Sequence, residues 1–331
     1  MVERPKILVT QKVPDPAYPL LAEVGEVEAN QEDGVIWSRA ELLRRAPGHE
    51  YIYCLLTDTI DEALLTACAN AQPRLRLLAN MAVGFNNIDI AAATRLGIAV
   101  SNTPGVLTDT TADLAFALLM ATARRIPEAE RFLRAGKYTG WGPLLFCGAE
   151  VHHATLGLIG MGRIGKVMAR RAHGFDMRIL YHNRQRLSPA EEAEYHATYL
   201  PLDELLQRSD FVSLHTPYTQ ETYHLIDARA LELMKPGAIL INTARGPIVD
   251  EKALVRALQD GRIAGAGLDV FEQEPAVEPE LLLMENVVLL PHIASASLPT
   301  RALMATMASQ NIVAHARGER PPNLLNPEVL G

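Results

Sequence analysis

At 331 residues the chain is long for one domain and ample for two, and 48% hydrophobic with 21% charged residues is an ordinary globular balance. A formal net charge of −8 argues against a nucleic-acid surface. Cys54, Cys68 and Cys147 have neither CxxC nor metal spacing, which excludes a disulfide framework and reads as buried, reduced thiols in a cytoplasmic protein.

The opening run MVERPKILVT passes straight into a strand-like segment with no signal-peptide core. Residues 6–10 (KILVT), 51–57 (YIYCLLT), 75–81 (LRLLANM) and 98–103 (IAVSNT) read as short buried strands, with amphipathic stretches at 61–69 and 89–96. The turn SNTPGVLT leads into a predicted helix over 109–125, where Thr110 and Asp113 resemble a capping box. Its apolar run LAFALLMATA is too short to span a bilayer.

A second series follows: TLGLIG (155–160), RILYHN (178–183), FVSLHT (211–216), AILINTA (238–244), GAGLDVF (265–271) and VVLLPH (287–292). Near-continuous apolar strands separated by helical patterns predict parallel sheets covered on both faces, hence two doubly wound α/β units. A last helix is expected over about residues 299–318, before an irregular tail, ERPPNLLNP.

Gly160-Met161-Gly162-Arg163-Ile164-Gly165 is a GxGxxG run between a predicted strand and a predicted helix. The first glycine permits a tight turn, the second lets backbone approach a pyrophosphate, and the third lets helix pack on strand. The helix N-terminus adds unpaired N–H groups and a positive dipole end. After the next strand, a carboxylate would take the ribose 2′-OH of NAD, but Asn183, Arg184 and Arg186 stand there. Cations at that turn suit a 2′-phosphate, so NADP(H) is the expected cofactor, with NAD(H) possible.

Three later strand ends carry isolated polar residues: Arg245 in INTARGPIVD, Asp269 and Glu274 in GLDVFEQEP, and His292 in LLPHIASAS. Ligands bind at the C-terminal ends of strands in doubly wound sheets. Jointly these residues make an Arg for a carboxylate, a His for proton transfer and a Glu to orient that His.

These strings, with NMAVGFNNIDI, SNTPGVLTDTTADLAFALLMATAR and GLIGMGRIG, resemble the D-isomer-specific 2-hydroxyacid dehydrogenases along nearly the whole chain. Within that family the likeness is greatest to glyoxylate/hydroxypyruvate reductases. The resemblance implies a flavodoxin-like substrate domain built from residues 1–101 and 293–331, a Rossmann cofactor domain over 102–292, and an active site in the cleft between them. It also implies a homodimer, with the helix near 109–125 and an arm near 138–148 at the interface.

Roles implied by the resemblance follow by residue. Arg245 holds the substrate carboxylate and carbonyl oxygen, His292 is the general acid, and Glu274 is its paired carboxylate, which favours the imidazolium. Val83 and Gly84 bind the carboxylate through backbone N–H groups. Asp269 orients the nicotinamide amide, while Thr108, His215, Thr216, Pro217, Thr243 and Ala244 line the cofactor. Trp141, in YTGWGPLLFCG, limits substrate size from the partner subunit or simply packs the dimer.

The expected reaction is reduction of a small 2-oxo acid such as glyoxylate or hydroxypyruvate, without metal, nucleic acid or membrane. Formate enzymes of the superfamily carry Gln where Glu274 stands. Phosphite, 3-phosphoglycerate or other D-2-hydroxyacid specificity remains an alternative within the fold. A non-catalytic nucleotide-sensing protein is the alternative from another class. No Zn-ligand spacing is seen around His152, His153, His215 or His224, and no GxSxG run suggests hydrolysis.

Overall fold

The computed structural model describes residues 4–330; Met1–Glu3, the start of the run read as leading directly into a strand, lie outside the described residues. The chain divides into two compact units, Met1–Leu107 with Ala296–Gly331, and Thr108–Ser295.

The first unit runs β1 (Lys6–Val9), α1 (Ala17–Val24), β2 (Glu26–Ala29), α2 (Arg39–Arg45), β3 (Tyr51–Cys54), α3 (Glu62–Asn70), β4 (Leu77–Asn80), α4 (Ile90–Arg95) and β5 (Ala99–Ser101). Its sheet is parallel, in the order β2-β1-β3-β4-β5. β3 and β4 are buried at every position, as strands covered on both faces must be. β2 escaped the sequence reading because its EVEA alternates charged and apolar residues on a half-exposed edge.

The final helix of the chain, Leu298–Ala316, belongs to this unit; Met304, Ala305, Ala308 and Ile312 pack on Ile7, Val9, Leu77 and Ala79. Each fully buried aliphatic side chain here contributes about 1.5–3 kcal/mol. The segment after it is irregular, as expected, but it is tied to the sheet. Ser101 bridges Leu324, Leu325 N–H donates to Val100 O at 2.8 Å, and buried Asn326 accepts from Val100 N–H at 2.8 Å. The tail therefore covers the exposed edge of β5, which would otherwise leave unpaired backbone groups.

The second unit runs α5 (Thr108–Ala123), α6 (Ile126–Arg134), β6 (Thr155–Ile159), α7 (Arg163–His173), β7 (Arg178–His182), α8 (Pro189–Glu194), β8 (Ala197–Tyr199), α9 (Leu202–Arg208), β9 (Phe211–Leu214), α10 (Ala228–Leu233), β10 (Ile239–Asn242), α11 (Glu251–Gln259), β11 (Gly265–Leu268) and β12 (Val287–Leu289). The helix after β12, Leu298–Ala316, is α12. The parallel sheet has the order β12-β11-β10-β9-β6-β7-β8. Strand order reverses between β6 and β9, which opens a crevice at their C-terminal ends.

Two local expectations are corrected. α5 begins at Thr108, so Thr110 lies inside the helix rather than capping it, and Asp113 pairs with Arg171 at 2.5 Å. Cys54 and Cys68 are buried, but Cys147 is exposed.

Candidate active site

The glycine run sits at the reversal between β6 and β9. Gly160 has φ +99°, and a Cβ there would lie 2.6 Å from the carbonyl carbon of His215, just past β9. A Cβ on Gly165 would lie 2.2 Å from Gly160 O, so the third glycine lets α7 meet the loop. Gly162 differs: a Cβ there would meet nothing within 4 Å. Packing does not demand that glycine, and its open face leaves room for the close approach of a ligand. Arg163 and Ile164 open α7, whose first turn has no side-chain cap.

These features fit a dinucleotide diphosphate, with the α7 N-terminus and the open face of Gly162 holding it. Asn183 serves the loop itself, since its Oδ1 accepts from Met161 N–H at 2.7 Å. His215 Nε2 lies 2.9 Å from Ser213 Oγ, and burial pushes its imidazole down to about 4, so it stays neutral. Thr216 is half-buried and Pro217 exposed beside it, Thr108 is half-buried in the first turn of α5, and Thr243 follows β10 with a buried hydroxyl that finds no partner among the described residues.

The two arginines of the turn after β7 are used differently. Arg186 is held in a two-pronged pair by Glu192, with Nε–Oε1 and Nη2–Oε2 both 2.8 Å. Arg184 is exposed and makes no ion pair among the described residues. The sequence could not separate them, because Glu192 comes from α8, an unremarkable surface helix.

Arg245, Glu274 and His292 come together in this unit. His292 Nδ1 lies 2.9 Å from Glu274 Oε2, and Glu274 Oε1 accepts from Phe271 N–H at 3.0 Å. Burial alone would push the Glu274 carboxyl up; His292, the Phe271 N–H and the Arg245 charge outweigh it and hold it below the usual carboxylate range. Arg245 is pulled below its usual value by burial, with Glu274 opposing, and its Nη1 donates to Ala244 O at 2.6 Å. The site thus sets an imidazole against a carboxylate, with a guanidinium whose charge acts on that carboxylate.

Three further residues shape the turns that present this group. Asn242, buried at the end of β10, donates to Arg245 O at 3.0 Å and accepts from Ala244 N–H at 3.0 Å, shaping the turn that presents Arg245. A Cβ on Gly246 would lie 1.8 Å from the Phe271 carbonyl carbon, so only glycine lets the Arg245 turn touch the Glu274 loop. Asp269, expected at the nicotinamide amide, is fully buried just past the end of β11. Its Oδ1 and Oδ2 accept from Ile293 and Ala294 N–H, both at 2.8 Å, so it anchors the loop that carries His292 at φ +55°.

In the first unit, Val83 and Gly84 lie just past β4. Asn102 Nδ2 donates to Val83 O at 2.8 Å and Asn80 Nδ2 to Gly84 O at 2.9 Å. With both carbonyls tied back, the N–H groups of Val83 and Gly84 have no backbone partner among the described residues. Such a pair of donors suits a carboxylate.

Trp141 stands on an irregular stretch after α6 and is 82% exposed, as Leu144 nearby is 84% exposed. A cavity of about 620 Å³, lined by Arg125, Glu128 and Cys147, opens at the N-terminal ends of β10 and β11, opposite the ends that bear the site. Among the described residues no group of three His, Cys, Asp or Glu could hold a metal ion, and no helix is long and apolar enough to cross a membrane.

Residues 116–294 match the family model of the D-isomer specific 2-hydroxyacid dehydrogenase, NAD binding domain. The chain is 49% identical to the glyoxylate reductase of Thermococcus onnurineus, over 99% of this chain and 97% of that protein. It is 50% identical to the glyoxylate reductase of Korarchaeum cryptofilum, over 99% and 97%. Among solved structures, an NADPH-dependent glyoxylate/hydroxypyruvate reductase from Sinorhizobium meliloti, in complex with NADP and malonate, matches with a TM-score of 0.85. It is 35% identical, over 98% of each chain.

Proposed function

Because the chain belongs to the D-isomer specific 2-hydroxyacid dehydrogenase family, we propose that it reduces glyoxylate or hydroxypyruvate to the 2-hydroxy acid. The observation that carries this reading is the His292–Glu274 pair at 2.9 Å beside Arg245. A bound nicotinamide dinucleotide supplies the hydride. The chain's own residues bind, orient and protonate.

With Nδ1 of His292 committed to Glu274, Nε2 is the ring atom that gives a proton to the carbonyl oxygen. Glu274 balances the imidazolium before transfer and keeps the ring from turning. Arg245 grips the substrate carboxylate and carbonyl oxygen with its planar fork. In the first unit, Val83 and Gly84 offer backbone N–H donors suited to a carboxylate, and Asn80 and Asn102 support that role by holding their carbonyls back.

NADPH is the preferred cofactor in this reading, with Arg184 as the selecting residue and Arg186 occupied by Glu192. The protein works as a homodimer in the cytoplasm. Support for the dimer comes from exposed Ile126, Leu133, Tyr138, Trp141 and Leu144, an apolar run costly to leave in water. The test is loss of nicotinamide absorbance when NADPH or NADH meets glyoxylate or hydroxypyruvate, beside gain of that absorbance when NADP+ or NAD+ meets phosphite or 3-phosphoglycerate. Turnover with the two 2-oxo acids supports the reading; turnover confined to the others overturns it.

A further inference from the structure

Glu272 lies two residues before Glu274 and has no part in the proton transfer above, yet it is held from two sides. His224 Nε2 sits 2.8 Å from Glu272 Oε1, and Tyr223 stacks on the same imidazole with ring centroids 3.9 Å apart. On the other side, Glu272 N–H donates to Glu251 Oε1 at 2.7 Å, and Glu251 N–H donates back to Glu272 Oε2 at 3.3 Å.

Both anchors are themselves fixed. Glu251 is 4% exposed and opens α11, whose N-cap Asp250 accepts from Ala253 N–H at 2.9 Å. His224 N–H donates to Pro247 O at 2.9 Å, two residues beyond Arg245. The clasp on Glu272 therefore ties the Glu274 segment to the chain that leaves the Arg245 turn. Gly246 lies against Phe271 in the same place.

We propose that His224, Glu272 and Glu251 form a positioning cluster that fixes residues 271–274, and thereby keeps Glu274 Oε2 against Nδ1 of His292. The inference rests on the reductase reading. Glu272 has one oxygen on His224 and the other on the first turn of α11, so its backbone cannot shift without breaking both. Glu274 Oε1 is tied to Phe271 N–H within the same short segment. A displacement there is passed directly to the His292 contact.

Charge fits the arrangement. Glu272, Glu278 and Glu274 face Glu251 from the following loop, Asp250 and Lys252 adjoin it on its own element, His224 partners Glu272, and Arg245 acts on Glu274. Burial, aided by the neighbouring carboxylates, pushes Glu251 up to about 7, so it carries its proton in acid and gains a charge as pH rises through that value. Above that pH the buried Glu251 charge opposes the clasp and weakens it.

The test is a double-mutant cycle between Glu272→Ala and Glu274→Gln, read as kcat with glyoxylate and NADPH. Alone, Glu272→Ala is expected to lower kcat on the order of 10- to 100-fold, as small misplacements at a distance from the chemistry do. In the Glu274→Gln background the same change should cost under about twofold, because the contact it protects is already altered. In cofactor-free protein, the downfield Nδ1 proton resonance of His292 should be present in the wild type, lost in Glu272→Ala and weakened in His224→Ala.

An additive cycle, or an unaltered His292 resonance, overturns the proposal. Should Glu272→Ala fail to fold, Glu272→Gln and His224→Ala carry the same cycle: coupling to Glu274 supports the cluster and additivity overturns it. A wild type that turns over no 2-oxo acid defeats the reductase reading alone; the resonance still decides the cluster.

Discussion

Asp269 and His292 are linked through backbone: both oxygens of the buried Asp269 carboxylate accept from Ile293 and Ala294 N–H at 2.8 Å, immediately after the histidine. His292 itself has φ +55°, a left-handed conformation that a non-glycine residue holds only when its surroundings compel it. Asp269 N–H in turn donates to Asn242 O at 2.9 Å, so the ends of β10 and β11 set the height at which the imidazole stands.

Asp269→Asn tests that anchor. Asn keeps one acceptor oxygen but turns an NH2 toward a backbone N–H, leaving a buried donor unsatisfied. The expected cost is about 1–3 kcal/mol in chemical denaturation, with a parallel fall in kcat. Unchanged stability and turnover would show that the loop holds itself.

The glycines separate folding from binding. Gly165→Ala would drive a Cβ to 2.2 Å from Gly160 O, so the melting temperature should fall by several degrees, as about 1–2 kcal/mol of strain implies. Gly162→Ala meets nothing within 4 Å, so its melting temperature should match the wild type while NADPH binding weakens about tenfold or more. Equal effects of the two substitutions on melting would refute the distinction.

Much of this site was legible from sequence, and what was missed has a physical pattern. GxGxxG and the strand-end Arg245, Glu274 and His292 could be read because turns and strand ends leave short, local signatures. β8, only three residues long, and the half-exposed β2 lacked the continuous apolar run that marks a buried strand. Asn80, Asn102 and Asn242 were missed because an amide that ties back a carbonyl has no spacing signature of its own. The hydrogen bonds that hold Asp269 and Arg186 could not be read either, because their partners 24 and 6 residues away are set by packing.

Stability should depend on Glu251. Its folded value, about 7, lies above the ordinary 4.5, so its contribution is fully present below about pH 4.5 and is lost as pH rises through about 7. Glu251→Gln keeps an acceptor for Glu272 N–H and cannot ionise. Urea midpoints should show the variant gaining on the wild type between pH 5 and pH 8, by on the order of 1–3 kcal/mol. A difference that does not vary with pH would place the titration elsewhere.

Cofactor choice should follow the unpaired arginine. Arg184→Asp removes a cation and adds repulsion against a 2′-phosphate, so the ratio of kcat/KM for NADPH over NADH should fall about tenfold or more. Arg186→Ala, whose guanidinium already serves Glu192, should change that ratio by less than about threefold. The reverse ranking would move the selector from Arg184 to Arg186.

The central claim is that His292 delivers the proton in a nicotinamide-dependent reduction of a 2-oxo acid. NADPH oxidation with glyoxylate and hydroxypyruvate, measured for wild type and His292→Ala beside a direct NADPH-binding titration, tests it most directly. Wild type should turn over both acids, His292→Ala should lose about 10²- to 10⁴-fold in kcat, and NADPH binding should be unchanged. A wild type that binds NADPH without turning over either acid, or a variant that keeps its rate, would contradict it.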